Sequence, residues 1–344
     1  MNALACPWGI FKRGLALIAV LLSATFAAAD EHSACLPMLD DVSAWDRLPP
    51  LEQGQRQPLP AWARMLADSL PRTTAAMLQL DAMHRQRSPL GAALAAKVRW
   101  TAAKANRCSY SMAAAEGDLR RAGLDDAALA SLENAPETPP SDEQLILNFA
   151  RRLTLEADKI SDEEAARAAK VLGDRNWVAL VLLVAHANFQ DRLFLAVGAV
   201  SDLGAPLPPF EGRFAKADKD APIDVPERVM PDSSAAPIVP GQVDDPEWRS
   251  VDFGQLQANL DLQRQRSGRI RVPTWEEVAE TLPEDQRPKR PVHIRWSLVC
   301  RGYQPELAAG WGACTRAFAE ESKQDRVFEE SLFWVITRTI HCFY

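Results

Sequence analysis

Cysteine is the residue type in this chain best suited to chemistry. Six are present: Cys6, Cys35, Cys108, Cys300, Cys314 and Cys342. Two of them, Cys108 and Cys342, each open a Cys-x-Tyr triplet that ends on Tyr110 or Tyr344. A thiol attacks a peroxide or a disulfide only as thiolate, so a reactive cysteine needs a helix N-terminus, a base or a cation beside it. Set among apolar side chains it is instead a small, inert core residue. No two cysteines have the spacing of a zinc knuckle and the five histidines are scattered, so no metal is expected. No cofactor is expected either.

Compartment decides what such thiols can do. Lys12 and Arg13 precede an uncharged, mostly apolar run from Gly14 to Ala29 that closes on three alanines before Asp30. This has the three parts of a secretory signal, and residues 1–29 are expected to be removed on export to a periplasmic or extracellular space. Five cysteines then remain, an odd number, which in an oxidising compartment leaves one without an internal partner. The run is short for a permanent span, and no later stretch is read as long and apolar enough to cross a bilayer, so no stable membrane insertion is expected after cleavage.

The 344 residues carry 39 Lys and Arg against 46 Asp and Glu, a net charge of −7. A chain this acidic, without a basic block, is not expected to bind nucleic acid. With 47% hydrophobic and 25% charged residues it is globular rather than disordered.

The elements that must position the thiols read as helices. Ser141-Asp-Glu-Gln144, Ser161-Asp-Glu-Glu164 and Thr274-Trp-Glu-Glu277 are capping boxes, the first two opening amphipathic runs. Gly173 stands where a helix should end, and Asp174 opens a longer one through Trp177 to Val197. No convincing period-two stretch occurs, so the fold class is all-α. Residues 204–247 hold nine prolines and read as an extended linker, incompatible with helix or central strand. The expected organisation is a helical domain over 60–203, the linker over 204–247 and a second, partial domain over 248–344.

The two helical parts share a register. At an offset of 234 residues, Trp62, Pro71, Ala75, Ser88, Trp100, Cys108 and Tyr110 fall on Trp296, Pro305, Ala309, Ser322, Trp334, Cys342 and Tyr344 without a gap. Two Trp pairs, a Pro and a Cys-x-Tyr in register favour a tandem duplication.

The run from Leu94 to Ser111, then Ala122-Gly-Leu124, Phe149-Ala-Arg-Arg-Leu153 and His186-Ala-Asn-Phe-Gln-Asp-Arg192, resembles the carboxymuconolactone decarboxylase and alkyl hydroperoxidase D-like superfamily. The resemblance covers about 60–203, and 292–344 through the repeat. It implies a bundle of helices that self-associates. It also implies a Cys-x-x-Cys at a helix start, a Glu twelve residues before the first Cys and a His four after the second. The helix dipole favours the thiolate, Glu and His relay the proton, and the sulfurs cycle between dithiol and disulfide. The implied partners are a hydroperoxide or disulfide substrate and a thiol reductant.

The first copy departs from that pattern. Cys108 matches the first cysteine, but Ser111, Ala115 and Ala96 stand at the second Cys, the His and the Glu. Cys108 is therefore expected to be a core residue. In the second copy Glu330 stands twelve residues before Cys342, so the resemblance assigns Cys342 as a redox thiol and Glu330 as its base. Three accounts of this copy are open. The codon after Tyr344 could be a UGA read as selenocysteine, the second copy could be decayed, or the chain could act without redox chemistry as an assembly or binding module. That the chain stops one residue before the second Cys position favours the first. The leading function is an exported peroxidase or disulfide reductase, with a non-catalytic pseudoenzyme as its rival.

Overall fold

The computed structural model describes residues 36–133, 141–200, 206–215, 252–265, 267–283, 287–288, 290–322 and 325–339. The segment 1–29, Cys35, residues 216–251 and Cys342 lie outside the described residues. The chain is all-α, with thirteen α-helices, one short 3-10 turn and one short two-stranded ribbon among the described residues.

The first part of the chain supplies α1 (Asp41–Arg47), α2 (Ala61–Leu66), α3 (Pro71–Gln86), α4 (Ala92–Asn106), α5 (Ser109–Arg121), α6 (Asp126–Glu133), α7 (Asp142–Leu155) and α8 (Asp162–Val197). Both expected capping boxes are present, at Ser141 with Gln144 and at Ser161 with Glu164. The break expected at Gly173 interrupts α8, where the residue holds φ +71°, a conformation that a side chain disfavours. Gly198 ends the helix in the left-handed region. Helix α4 is the centre of this bundle and packs on α5, α7 and α8. Helix α8 is long and apolar enough to span a bilayer, which corrects the reading that no later stretch qualifies. More than half of its apolar window is buried in the bundle, as in the core helix of a globular protein.

The sequence did not announce the ribbon. Leu51–Gly54 (β1) pairs antiparallel with Gly212–Phe214 (β2), inside the proline-rich stretch. Phe210 and Phe214 stack and lie against Trp45 of α1, so apolar burial brings back a segment whose composition reads as linker.

The later part supplies α9 (Phe253–Gln265), α10 (Trp275–Thr281), α11 (Arg295–Tyr303), α12 (Pro305–Glu321) and α13 (Arg326–Thr339). The capping box at Thr274 and Glu277 forms. Helix α12 packs along α3, and α11 contacts α8, so this part is built onto the first bundle. Both α3 and α12 begin with a proline in the first turn, where its missing N–H costs nothing. They run antiparallel. Glu321, at the end of α12, accepts from the amides of Arg72 and Thr73 at 2.6 and 2.8 Å and from Thr73 Oγ1 at 2.6 Å, while Gly310 lies over Leu80 and Met83. Glu321 thus supplies the oxygen that Leu70, the N-cap of α3, lacks. Helix α13 leaves Val327, Phe328, Phe333 and Trp334 half-exposed or more.

Candidate functional site

The junction of α4 and α5 holds Cys108, one of the thiols that the sequence singles out. Arg107 turns the chain between these helices at φ +58°, the one non-glycine residue with positive φ among those described. Cys108 follows as the N-cap of α5, its amide bonded to the carbonyl of Ala103 at 2.9 Å. Its thiol donates to Ser111 Oγ at 3.4 Å, one turn into the helix. Ala96 of α4 and Ala115 of α5 pack into one cluster with Trp100 and Leu119. Cys108 and Ser111 thus meet at the helix start, whereas Ala96 and Ala115 belong to a different cluster from the one that holds Cys108.

Those residues do not make a working redox centre. Cys108 is 1% exposed, and burial pushes its thiol pKa up despite hydrogen bonding from Ser111. Asp191 of α8 stands nearby and raises it further. Asp191 accepts from Asn106 Nδ2 at 2.8 Å, and burial raises its own pKa. A protonated thiol beside a carboxylate is a poor nucleophile.

Beside this junction lies a charged network that the sequence reading missed. Arg85 of α3 grips Asp118 of α5 with Nε and Nη2 at 2.7 and 2.8 Å, and reaches Asp81 with Nη1 at 3.1 Å. Arg99 of α4 donates to Gln190 Oε1 at 3.0 Å and pairs with Asp81 at 3.1 Å. Gln190 donates to the same carboxylate at 3.0 Å. Arg85 also bonds the carbonyl of Leu207, fastening the head of the proline segment. Burial acts to raise the pKa of Asp81, but Arg99 and Arg85 outweigh it and hold the carboxyl well below its usual range. Two buried carboxylates and two buried guanidiniums thus compensate one another, the condition on which buried charge is tolerated.

The network extends to a pair of histidines. His84 of α3 and His186 of α8 stack with ring centroids 4.4 Å apart, and Trp311 of α12 meets His186 edge-on. His186 Nε2 lies 3.7 Å from Asp81. Burial lowers both pKa values, His84 the more, so both rings are neutral at pH 7. The sequence signal for the network was Asp81 and Arg85, four apart on α3.

Glu330 lies exposed on α13, away from this junction, and Cys342 is outside the described residues. Among the described residues no group of three or more His, Cys, Asp or Glu is placed to hold a metal ion. Cys108, Cys300 and Cys314 are free thiols. No family model matches the chain, and no curated protein is significantly similar to it.

Proposed function

We propose that this chain is an exported thiol peroxidase or disulfide reductase of the alkyl hydroperoxidase D-like kind, with a non-catalytic first bundle and its working thiol in the second copy. One observation carries the reading. Cys108, at the first cysteine position that the resemblance names, caps the start of a helix, with Ser111, at the second, one turn on. Displaced by 234 residues, the same arrangement puts Glu330 at the place of Ala96 and Cys342 at the place of Cys108. The duplication itself is supported by three helices in the same order at that offset: α2 to α4 correspond to α11 to α13. The antiparallel pairing of α3 with α12 suits two copies related by a pseudo-twofold axis.

In this mechanism Glu330 takes the thiol proton of Cys342, and the thiolate attacks the terminal oxygen of a hydroperoxide. The O–O bond breaks, sulfur gains the oxygen as sulfenic acid, and the alkoxide leaves with the proton from Glu330. Two equivalents of a thiol reductant then return the cysteine, releasing water and a disulfide.

Hydroperoxide turnover by the full chain, with a dithiol reductant, tests this. Cys342→Ser should abolish turnover, Glu330→Gln should lower it about 100-fold or more, and Cys108→Ser should leave it intact. Activity unchanged in Cys342→Ser overturns the assignment. The rival, a helical pseudoenzyme that assembles or binds, is favoured by the inert residues of the first junction. It takes precedence if the full chain self-associates without any turnover.

A further inference from the structure

A cleft of about 680 Å³ opens between α8, α9 and the start of α11, remote in sequence from the thiol positions. Its volume is that of a small-molecule site. Three features describe what would fill it. The walls are aliphatic and aromatic, with Val178, Val181 and Leu182 of α8 facing Leu260, Ile270 and Trp296. The charged groups in the lining are all basic: Arg264, Arg269 and Arg295, with His293 beside them, and no Asp or Glu takes part. In a chain of net charge −7 this is a local reversal of sign.

The third feature is a set of polar groups without partners, among them one buried acceptor, Gln263 Oε1. Trp177 lines the cleft, is 8% exposed, and its indole Nε1 is buried with no hydrogen-bond partner. A buried donor left unpaired is costly, which marks the cleft as one whose bonding is completed by something other than the protein. Helix α11 begins at the cleft with Ile294 as its N-cap, a residue with no oxygen to offer the first-turn amides. Arg269 is already engaged with Asp162 and the carbonyl of Ile160, and Arg264 pairs with Asp261. Arg295, in the first turn of α11, pairs with no acid among the described residues.

We propose that this cleft binds a single-chain amphiphilic anion, its alkyl chain against α8 and α9 and its carboxylate at Arg295 and the start of α11. The assignment goes beyond the thiol chemistry and stands whether or not that chemistry is present. A neutral chain satisfies the walls but not Arg295, and a cationic head is repelled by Arg295, the arginine in the lining that no described acid compensates. Each pair of added methylenes should tighten binding roughly tenfold while the chain still fits.

Isothermal titration of the full chain with decanoate, decanol and decyltrimethylammonium, all below micelle formation, tests the proposal. Decanoate should bind at least tenfold tighter than either of the others, and dodecanoate tighter again. Arg295→Gln should weaken decanoate about tenfold and leave decanol unchanged, and Arg295→Lys should recover much of the loss. An unaltered circular-dichroism melt separates this from misfolding. Equal binding of decanol or the ammonium, no dependence on chain length, or no binding of decanoate would each overturn the assignment.

Discussion

The charged network predicts a large effect from a small change. Asp81→Asn keeps the shape of the side chain and removes its charge. In the wild type that carboxylate receives Arg85 at 3.1 Å, Arg99 at 3.1 Å and the amide of Gln190 at 3.0 Å. The partners are buried, so the variant leaves Arg85 and Arg99 with one remaining acid, Asp118, which Arg121 already shares. Removing one member of a buried ion set costs about 3–5 kcal/mol, because the stranded charge stays desolvated. Against a total stability of about 5–15 kcal/mol, that is a fifth or more of what holds a domain folded. At about 2–4 °C per kcal/mol, the thermal midpoint should fall by roughly 6–20 °C. The pH dependence sharpens the test. The folded pKa of Asp81 lies well below its unfolded value, so its contribution is present above the ordinary carboxylate range and is lost as pH falls through the depressed folded pKa. His84 and His186 also have lowered folded values, and their contribution falls away from about pH 6.5 downward. Denaturant titrations from pH 7 to pH 2 should therefore show two acid steps in the wild type. Asp81→Asn should keep the step near pH 6 and flatten the lower one. A loss under 1 kcal/mol at pH 7, or an unchanged lower step, would refute the ion-network reasoning.

Three other outcomes follow from the same geometry. Glu321→Ala strips the amides of Arg72 and Thr73 of their buried acceptor, and should cost about 2–4 kcal/mol and speed proteolytic cleavage between the first bundle and α12, read by mass spectrometry. Cys108 and Cys314 should stay unlabelled by a thiol reagent in the native protein at pH 8, because burial raises both pKa values, that of Cys314 to about 12; labelling as fast as in denaturant would contradict this. Gly173→Ala meets no neighbour within 4 Å but must hold φ +71°, so about 1 kcal/mol should be lost to backbone strain alone, measurable as a shift in urea midpoint at constant slope.

Much of the local structure was legible in the residues. Ser141, Ser161 and Thr274 each cap a helix through a Glu or Gln three residues on, an interaction that needs no tertiary partner. Gly173 and Gly198 mark helix breaks for an equally local reason, since only glycine takes positive φ cheaply. The helical class was readable too, because it follows from the capping signals and the absence of period-two alternation. What tertiary structure decided is where distant groups meet. Asp81, Arg99, Asp118, His186 and Gln190 come from four helices, and nothing in their spacing joins them; they are brought together because each buried charge must find its compensation inside the bundle. Phe210 and Phe214 draw part of a proline-rich segment onto Trp45, because apolar burial outweighs a composition that reads as linker. The cleft of Trp177 and Arg295 exists only where α8 meets α11, more than a hundred residues further along the chain, so its cationic lining is a property of packing, which no local stretch of sequence records.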